Sequence, residues 1–243
     1  MIKLDTVESE FGTICVFKKK STSTITYEQG GCCQSEADSN GVSLASYIHA
    51  IFGLIAQTKA RRILMIGCAG GTLATMLAQA GCKVTIIDVN PASFVLAKRY
   101  FSLPDSVKCQ VADGKSFLRA DTRTYDAIVL DAFHGDHIPA HLKSLRFHQL
   151  VADRLSRRGA VFANVHVKHD LDHHADRIAA SLSNVFHDVR LLDSTGYDGR
   201  NAIVMGGAVS SLRIPEMMVP PAADRHAIES ELATMKFRAW RAS

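Results

Sequence analysis

No apolar run in this 243-residue sequence is long enough to span a bilayer, and the N-terminus has no apolar stretch of the signal-peptide kind. A membrane partner is therefore not expected. The six cysteines (Cys15, Cys32, Cys33, Cys68, Cys82 and Cys109) form no C-x-x-C pair and no metal-ligand spacing. Neither a disulfide framework nor a structural zinc is indicated, and a reducing cytoplasm is the expected setting. Charge of one sign is also lacking. The net charge is +4 with both signs spread along the chain, which gives no footprint for nucleic acid, and Lys18-Lys19-Lys20 reads as a solvated hairpin tip. No internal repeat or low-complexity linker marks a boundary. What the chain does have is apolar residues, 47% of the total, enough for a sizeable core.

The most informative stretch is residues 61–90, RRILMIGCAGGTLATMLAQAGCKVTIIDVN. Ile63 to Ile66 form a short apolar run of the kind buried on both faces of a sheet. Gly67, Gly70 and Gly71 follow. Leu73, Met76, Leu77 and Ala80 then recur at helical spacing, and Gly81 stands where a glycine would end that helix. A second apolar run, 84–87, closes on Asp88. Strand, turn and helix N-terminus bring backbone N–H groups and the positive helix end together. The acid at the next strand's tip, roughly 20 residues after the first glycine, can accept both ribose hydroxyls. The alternative is a tight turn that only packs helix on sheet. The glycine pattern departs from G-x-G-x-x-G: Ala69 stands where a pyrophosphate would approach. A nucleoside without phosphates, such as a sulfonium nucleoside, suits the loop better.

Further along, Asn90 and Pro91 open a helix that runs to about Phe101. Strands are expected at 107–111, 127–130, 160–164, 189–192 and 201–205. Helices are expected at 145–155, capped by Ser144 with Gly159 beyond its end, at 174–186, and at 224–240. Before the central stretch, residues 12–17 and 22–28 suggest a hairpin, 32–36 a short strand, and 42–56 a helix. The fold class is therefore α/β, a Rossmann-like, seven-stranded, mostly parallel sheet with helices on both faces. A small N-terminal β-hairpin region with its linking helix (1–58) precedes a nucleoside-binding catalytic domain (59–243).

In such a sheet, ligands bind beyond the carboxyl ends of the strands. The Gly67–Gly71 loop, Asp88 with Val89, Asp113-Gly114 and Asp131 all fall there. Each acid could instead cap a helix. Together they fit a ribose at Asp88, an adenine edge at Asp113 and a reacting end at Asp131. Asp131 and Asp136 share one loop, where carboxylates would attract a cationic amine and one could take its proton. His134, His137 and His141 lie on that loop, and His166, His169, His173 and His174 follow the fifth strand. No two-histidine-plus-carboxylate arrangement falls at fixed spacing, so no metal is expected.

These segments resemble the spermidine synthase family of polyamine aminopropyltransferases, in particular its spermidine-synthase-like branch. The resemblance runs from about Ser9 to Gly207 and rests on SEFGTICVF, Gln34-Ser35, IGCAGGTL, IDVNP, VADGKSFL, YDAIVLDAFHGDHIP and NAIVM. It implies a β-hairpin domain before a seven-stranded methyltransferase-like sheet, a homodimer, and aminopropyl transfer from decarboxylated S-adenosylmethionine to a small-molecule amine. By position it assigns Gln34 to the donor, and Gly67, Cys68, Ala69, Gly70 and Gly71 to the donor loop. It assigns Asp88 to the ribose, Asp113-Gly114 to the adenine, Asp131 to the amine's proton, and Asp136 to the second acid. Two departures stand out. Ala69 replaces the acid that would bind the donor's terminal amine. Ala45 falls where the family has a catalytic tyrosine, with Tyr47 two positions on as a substitute. Without the acid, selection against the carboxylate of intact S-adenosylmethionine weakens. A methyltransferase on the same fold and a non-catalytic nucleoside- or polyamine-binding relative therefore stay open.

Overall fold

The computed structural model describes residues 1–135 and 137–241. An antiparallel sheet comes first, from β1 (Ile2–Val7), β2 (Ile14–Lys18), β3 (Ile25–Gln29) and β4 (Cys32–Ala37), paired in that order. Lys18 ends β2 and pairs with Ile25, and Lys19, Lys20 and Ser21 form the exposed β2–β3 tip. Gly30 and Gly31, at φ of 58° and 79°, make the two-residue β3–β4 turn, a conformation that favours glycine. Tyr27 pairs with Ser35 and Glu28 with Cys33. Gln34 is therefore the extra residue of a β-bulge, a device that re-aims a side chain.

Helix α1 (Ser46–Thr58) follows, then β5 (Arg62–Ile66), α2 (Thr72–Gln79), β6 (Lys83–Asp88), α3 (Pro91–Tyr100), β7 (Lys108–Val111), α4 (Gly114–Ala120) and β8 (Tyr125–Leu130). After a 3-10 turn at Ala140–Leu142 come α5 (Leu145–Asp153), β9 (Leu155–Val167), α6 (His174–Ser183), β10 (Val189–Asp193), β11 (Arg200–Gly207), α7 (Arg225–Thr234) and β12 (Lys236–Arg238). Asn90 caps α3 through a bond from the Ala92 N–H, and Ser144 caps α5 through one from the Phe147 N–H.

The second sheet has eight strands, not seven, in the order β12-β10-β11-β9-β8-β5-β6-β7. Strands β7, β6, β5, β8 and β9 are parallel, while β11 and β12 each run antiparallel to their neighbours. The eighth strand comes from the segment expected to continue a terminal helix. That helix ends at Thr234, where Met235 turns extended (ψ 131°). Gly159 likewise lies inside β9 rather than at a boundary.

Alternation along the strands builds two cores. Ile63 and Met65 face a cluster with α1, α2 and α7, whereas Leu64 and Ile66 face one with α4, α5 and α6. A third core, with Ile14, Val16, Tyr27 and Phe101, seats the N-terminal sheet against α3. Among the described residues, no helix is long and apolar enough to cross a membrane.

Candidate active site

Register levels the strand ends. Ile66 pairs with Ile87 on one side and Leu130 on the other, and Leu130 pairs with Ala163. The next residues, Gly67, Asp88, Asp131 and Asn164, therefore emerge at one height. Gly67 adopts φ +105°, and a Cβ there would lie 2.1 Å from the Asp131 carbonyl oxygen. Only glycine lets the loop cross so close to the end of β8.

The loop is more internally committed than the sequence suggested. Gly67 N–H donates to the Ile87 carbonyl and Gly71 N–H to that of Cys68. Cys68 N–H donates to Asp88 Oδ2 at 2.8 Å, and Gly70 N–H to Ser35 Oγ at 3.1 Å. The expected group of amides pointing together at a ligand is thus corrected: most of them hold the loop to β6 and to the N-terminal sheet. A Cβ at Gly70 would meet Ser35 and Phe101 within 3.0 Å, so this glycine serves contact between the sheets. Ala69, the remaining member, sits at φ +46°, strained for a residue with a Cβ. Such a loop does not cradle phosphates.

Asp88 also receives the Asn90 N–H on Oδ1, at 2.8 Å. Burial pushes this carboxyl above its ordinary range despite these bonds. Each oxygen keeps acceptor capacity for a hydroxyl. Val89 beside it is exposed. Asp113 caps α4 through the Ser116 N–H and meets His141 Nε2 at 2.7 Å. Burial raises its pKa, but those bonds outweigh it and hold the carboxyl low. Gly114 lies under the Ile66 side chain, which a Cβ would strike at 2.6 Å.

On the other side of the loop a crevice of about 420 Å³ opens between the two sheets. It brings together Gln34, Cys68, Ala69, Gly71, Tyr47 and Asp131 among the residues singled out from sequence. Asp88, Val89, Asp113 and Gly114 lie outside its lining. Gln34, re-aimed by the bulge, donates through Nε2 to the Gly135 carbonyl at 3.3 Å and ties β4 to the loop after β8. Asp136 lies outside the described residues.

Asp131 is the crevice's central acid. Asn164 Nδ2 donates to its Oδ1 at 2.8 Å, and the Tyr47 hydroxyl donates to it as well. Desolvation raises its pKa, against the pull of both donors. Tyr47 is driven well above the ordinary phenol value, first by burial and then by the Asp131 charge. It stays protonated, so it is a donor and not a base. Glu36 adds a second carboxyl to the lining, raised by burial and by Asp224 against the opposing pull of Lys19.

Sequence reasoning missed Asn164 and Asn201, which also line the crevice, as does His166, weighed from sequence only as a metal ligand. Asn164 and His166 are two apart near the end of β9, hence on one face, and Asn201 pairs with His166 across β11. Polar residues alternating at the end of an otherwise apolar strand were the available signal. Among the described residues, no group of three or more His, Cys, Asp or Glu is placed to hold a metal ion.

Residues 63–159 match the family model of a methyltransferase domain. A polyamine aminopropyltransferase from Vibrio vulnificus is 30% identical over 151 residues, covering 59% of this chain and 50% of that protein. The chain spans half or less of the length of the curated relatives it matches. Among solved structures, a probable spermidine synthase from Corynebacterium glutamicum superposes with a TM-score of 0.79 at 20% identity, covering 97% of this chain and 90% of that one. A spermidine synthase in complex with the transition state analogue AdoDATO gives 0.69 at 15% identity, covering 96% and 88%. At these identities the structural likeness speaks for the fold.

Proposed function

We propose that this chain, spermidine-synthase-like on a class I methyltransferase fold, is a transferase that moves the aminopropyl group of decarboxylated S-adenosylmethionine to an amine. The observation that carries the reading is Asp131: a desolvated carboxyl at the sheet's switch point, oriented by Asn164 and Tyr47 and facing the crevice. In the proposed reaction the amine nitrogen attacks the propyl carbon bonded to sulfur. The carbon–sulfur bond breaks with its electron pair going to sulfur, giving neutral methylthioadenosine, and Asp131 accepts the proton released from nitrogen. Asp88 would accept the ribose hydroxyls, Asp113 would face the adenine edge, and Gln34 would border the donor. Asp131 and Glu36 would draw a protonated amine into the crevice.

The test is methylthioadenosine release from decarboxylated S-adenosylmethionine with a panel of amines. Release is expected, with Asp131→Asn slowing it by about 10²- to 10⁴-fold while donor affinity is kept. No release with any amine refutes the reading. Ala69 favours a second reading, methyl transfer from intact S-adenosylmethionine, because no carboxylate stands there to repel that donor's carboxylate. Calorimetry separates the two: tighter binding of the intact donor supports methyl transfer, and tighter binding of the decarboxylated one supports aminopropyl transfer.

A further inference from the structure

The crevice holds two separate acids. Among the described residues that line it, Asp131 and Glu36 are the carboxylates, and none is a lysine or arginine. A chain of near neighbours joins them along the wall. Tyr47 lies within electrostatic reach of both Asp131 and Cys33, and Cys33 within reach of Glu36. Burial, then Glu36 and Glu28, push the Cys33 thiol up, so it stays protonated, as Tyr47 does. Two neutral groups therefore link two anchor points for positive charge.

In the transferase reading Asp131 serves the reacting nitrogen, and Glu36 takes no part in that step. Glu36 follows Ser35, whose Oγ accepts the Gly70 N–H at 3.1 Å and docks β4 on the glycine loop. The loop's own lining residues, Cys68, Ala69 and Gly71, offer no carboxylate. Yet decarboxylated S-adenosylmethionine ends its propyl chain in a primary ammonium, and an ammonium taken out of water needs an opposite charge. Burial and the charge of Asp224 raise the Glu36 carboxyl, and Lys19 offsets only part of this. No side-chain hydrogen bond fixes Glu36 among the described residues. A substrate ammonium beside it would favour its charged form.

We propose that Glu36 selects the donor: its carboxylate holds the ammonium of the aminopropyl group and repels the carboxylate that intact S-adenosylmethionine carries at the same end. This rests on the transferase reading above and names the donor-selecting residue for it.

Calorimetry with decarboxylated S-adenosylmethionine, intact S-adenosylmethionine and methylthioadenosine tests Glu36 apart from turnover. The wild type should bind the decarboxylated donor more tightly than the intact one. Glu36→Gln should cut that preference about tenfold or more. It should leave the affinity for methylthioadenosine, which has no tail ammonium, unchanged. Glu36→Asp keeps the charge and should retain more of the preference than Glu36→Gln. A preference unmoved in Glu36→Gln, equal loss in both variants, or tighter wild-type binding of the intact donor overturns the proposal. Loss of methylthioadenosine binding in Glu36→Gln makes the residue structural and overturns it too. So does a raised KM for the amine with donor affinities unmoved, which gives Glu36 to the acceptor. Methylthioadenosine release with a panel of amines is read separately. Release together with an unmoved donor preference leaves the transferase reading intact and sinks the role of Glu36. A preference that needs Glu36, without release from any amine, keeps that role and sinks the transfer.

Discussion

Asp131 takes hydrogen bonds from Asn164 and Tyr47, and each donor favours the charged carboxylate. Removing the tyrosine hydroxyl removes one of the two forces that oppose desolvation, so the carboxyl's pKa rises further. Tyr47→Phe should therefore shift the acid limb of the kcat/KM profile to higher pH and lower activity near neutrality by about tenfold, one charge-assisted hydrogen bond's worth. A pH–rate series on the two proteins checks this, and an unmoved acid limb would separate Tyr47 from the titrating group. Asp131 was legible from sequence because an acid directly after an apolar run marks a strand end. The Tyr47 contact was not, because it joins a helix before the parallel sheet to the tip of its fourth strand in sequence, and nothing local encodes that meeting. The glycine loop was legible as a loop but misread in detail: its glycines answer mainly to Asp131, Ser35 and Phe101, neighbours that only the tertiary fold supplies.

At the scale of elements, the sequence located nearly all the strands and helices of the central sheet, since buried strands are short apolar runs and their helices carry capping residues. The two strands it missed are both edges. In β1 Ile2 and Leu4 are exposed, so no buried stripe announces it. In β12 the helical pattern of the preceding residues runs on without a glycine or proline to stop it. What holds β12 is charge. Arg238 reaches Asp193 at 2.8 Å and Asp176 at 2.7 Å, and Arg200 meets the same Asp193 at 2.7 Å. Burial alone would raise Asp193, but the two guanidinium groups outweigh it and hold the carboxyl low. Arg238→Ala leaves two buried carboxylates short of a partner and should cost about 3 kcal/mol. That corresponds to a loss of about 6–12 °C in Tm for a chain of this size. Thermal unfolding of the variant measures it, and an unchanged Tm would show that β12 is held by Phe237 and its apolar contacts instead.

For the molecule as a whole, acidification should act through His148. This imidazole is buried on α5 with Nδ1 2.8 Å from Ser181 Oγ, and burial lowers its pKa to about 4. In the unfolded chain it takes up a proton near 6.5. Between those values the unfolded state binds more protons, so stability falls as pH drops from about 6.5 to about 4, by up to about 3 kcal/mol. His49, also lowered by burial, acts in the same sense, whereas the raised carboxyls of Asp88 and Asp131 act in the opposite one. The difference between wild type and His148→Gln in urea unfolding at pH 7 and pH 5 isolates the histidine: the variant's pH dependence should be the shallower. Equal slopes would mean that the buried imidazole does not govern this window.

The crevice between the two sheets draws one wall from residues 32–36 and another from Gly199 and Asn201. Strands β5 through β9 pair with one another, so their shared ladders need nothing from beyond residue 199. The crevice, by contrast, lacks a wall without β11 and the turn before it. A crevice whose walls come from both ends of the chain is thus hostage to the antiparallel strand on its far side, and damage confined to β11 should open it while the parallel strands stay paired.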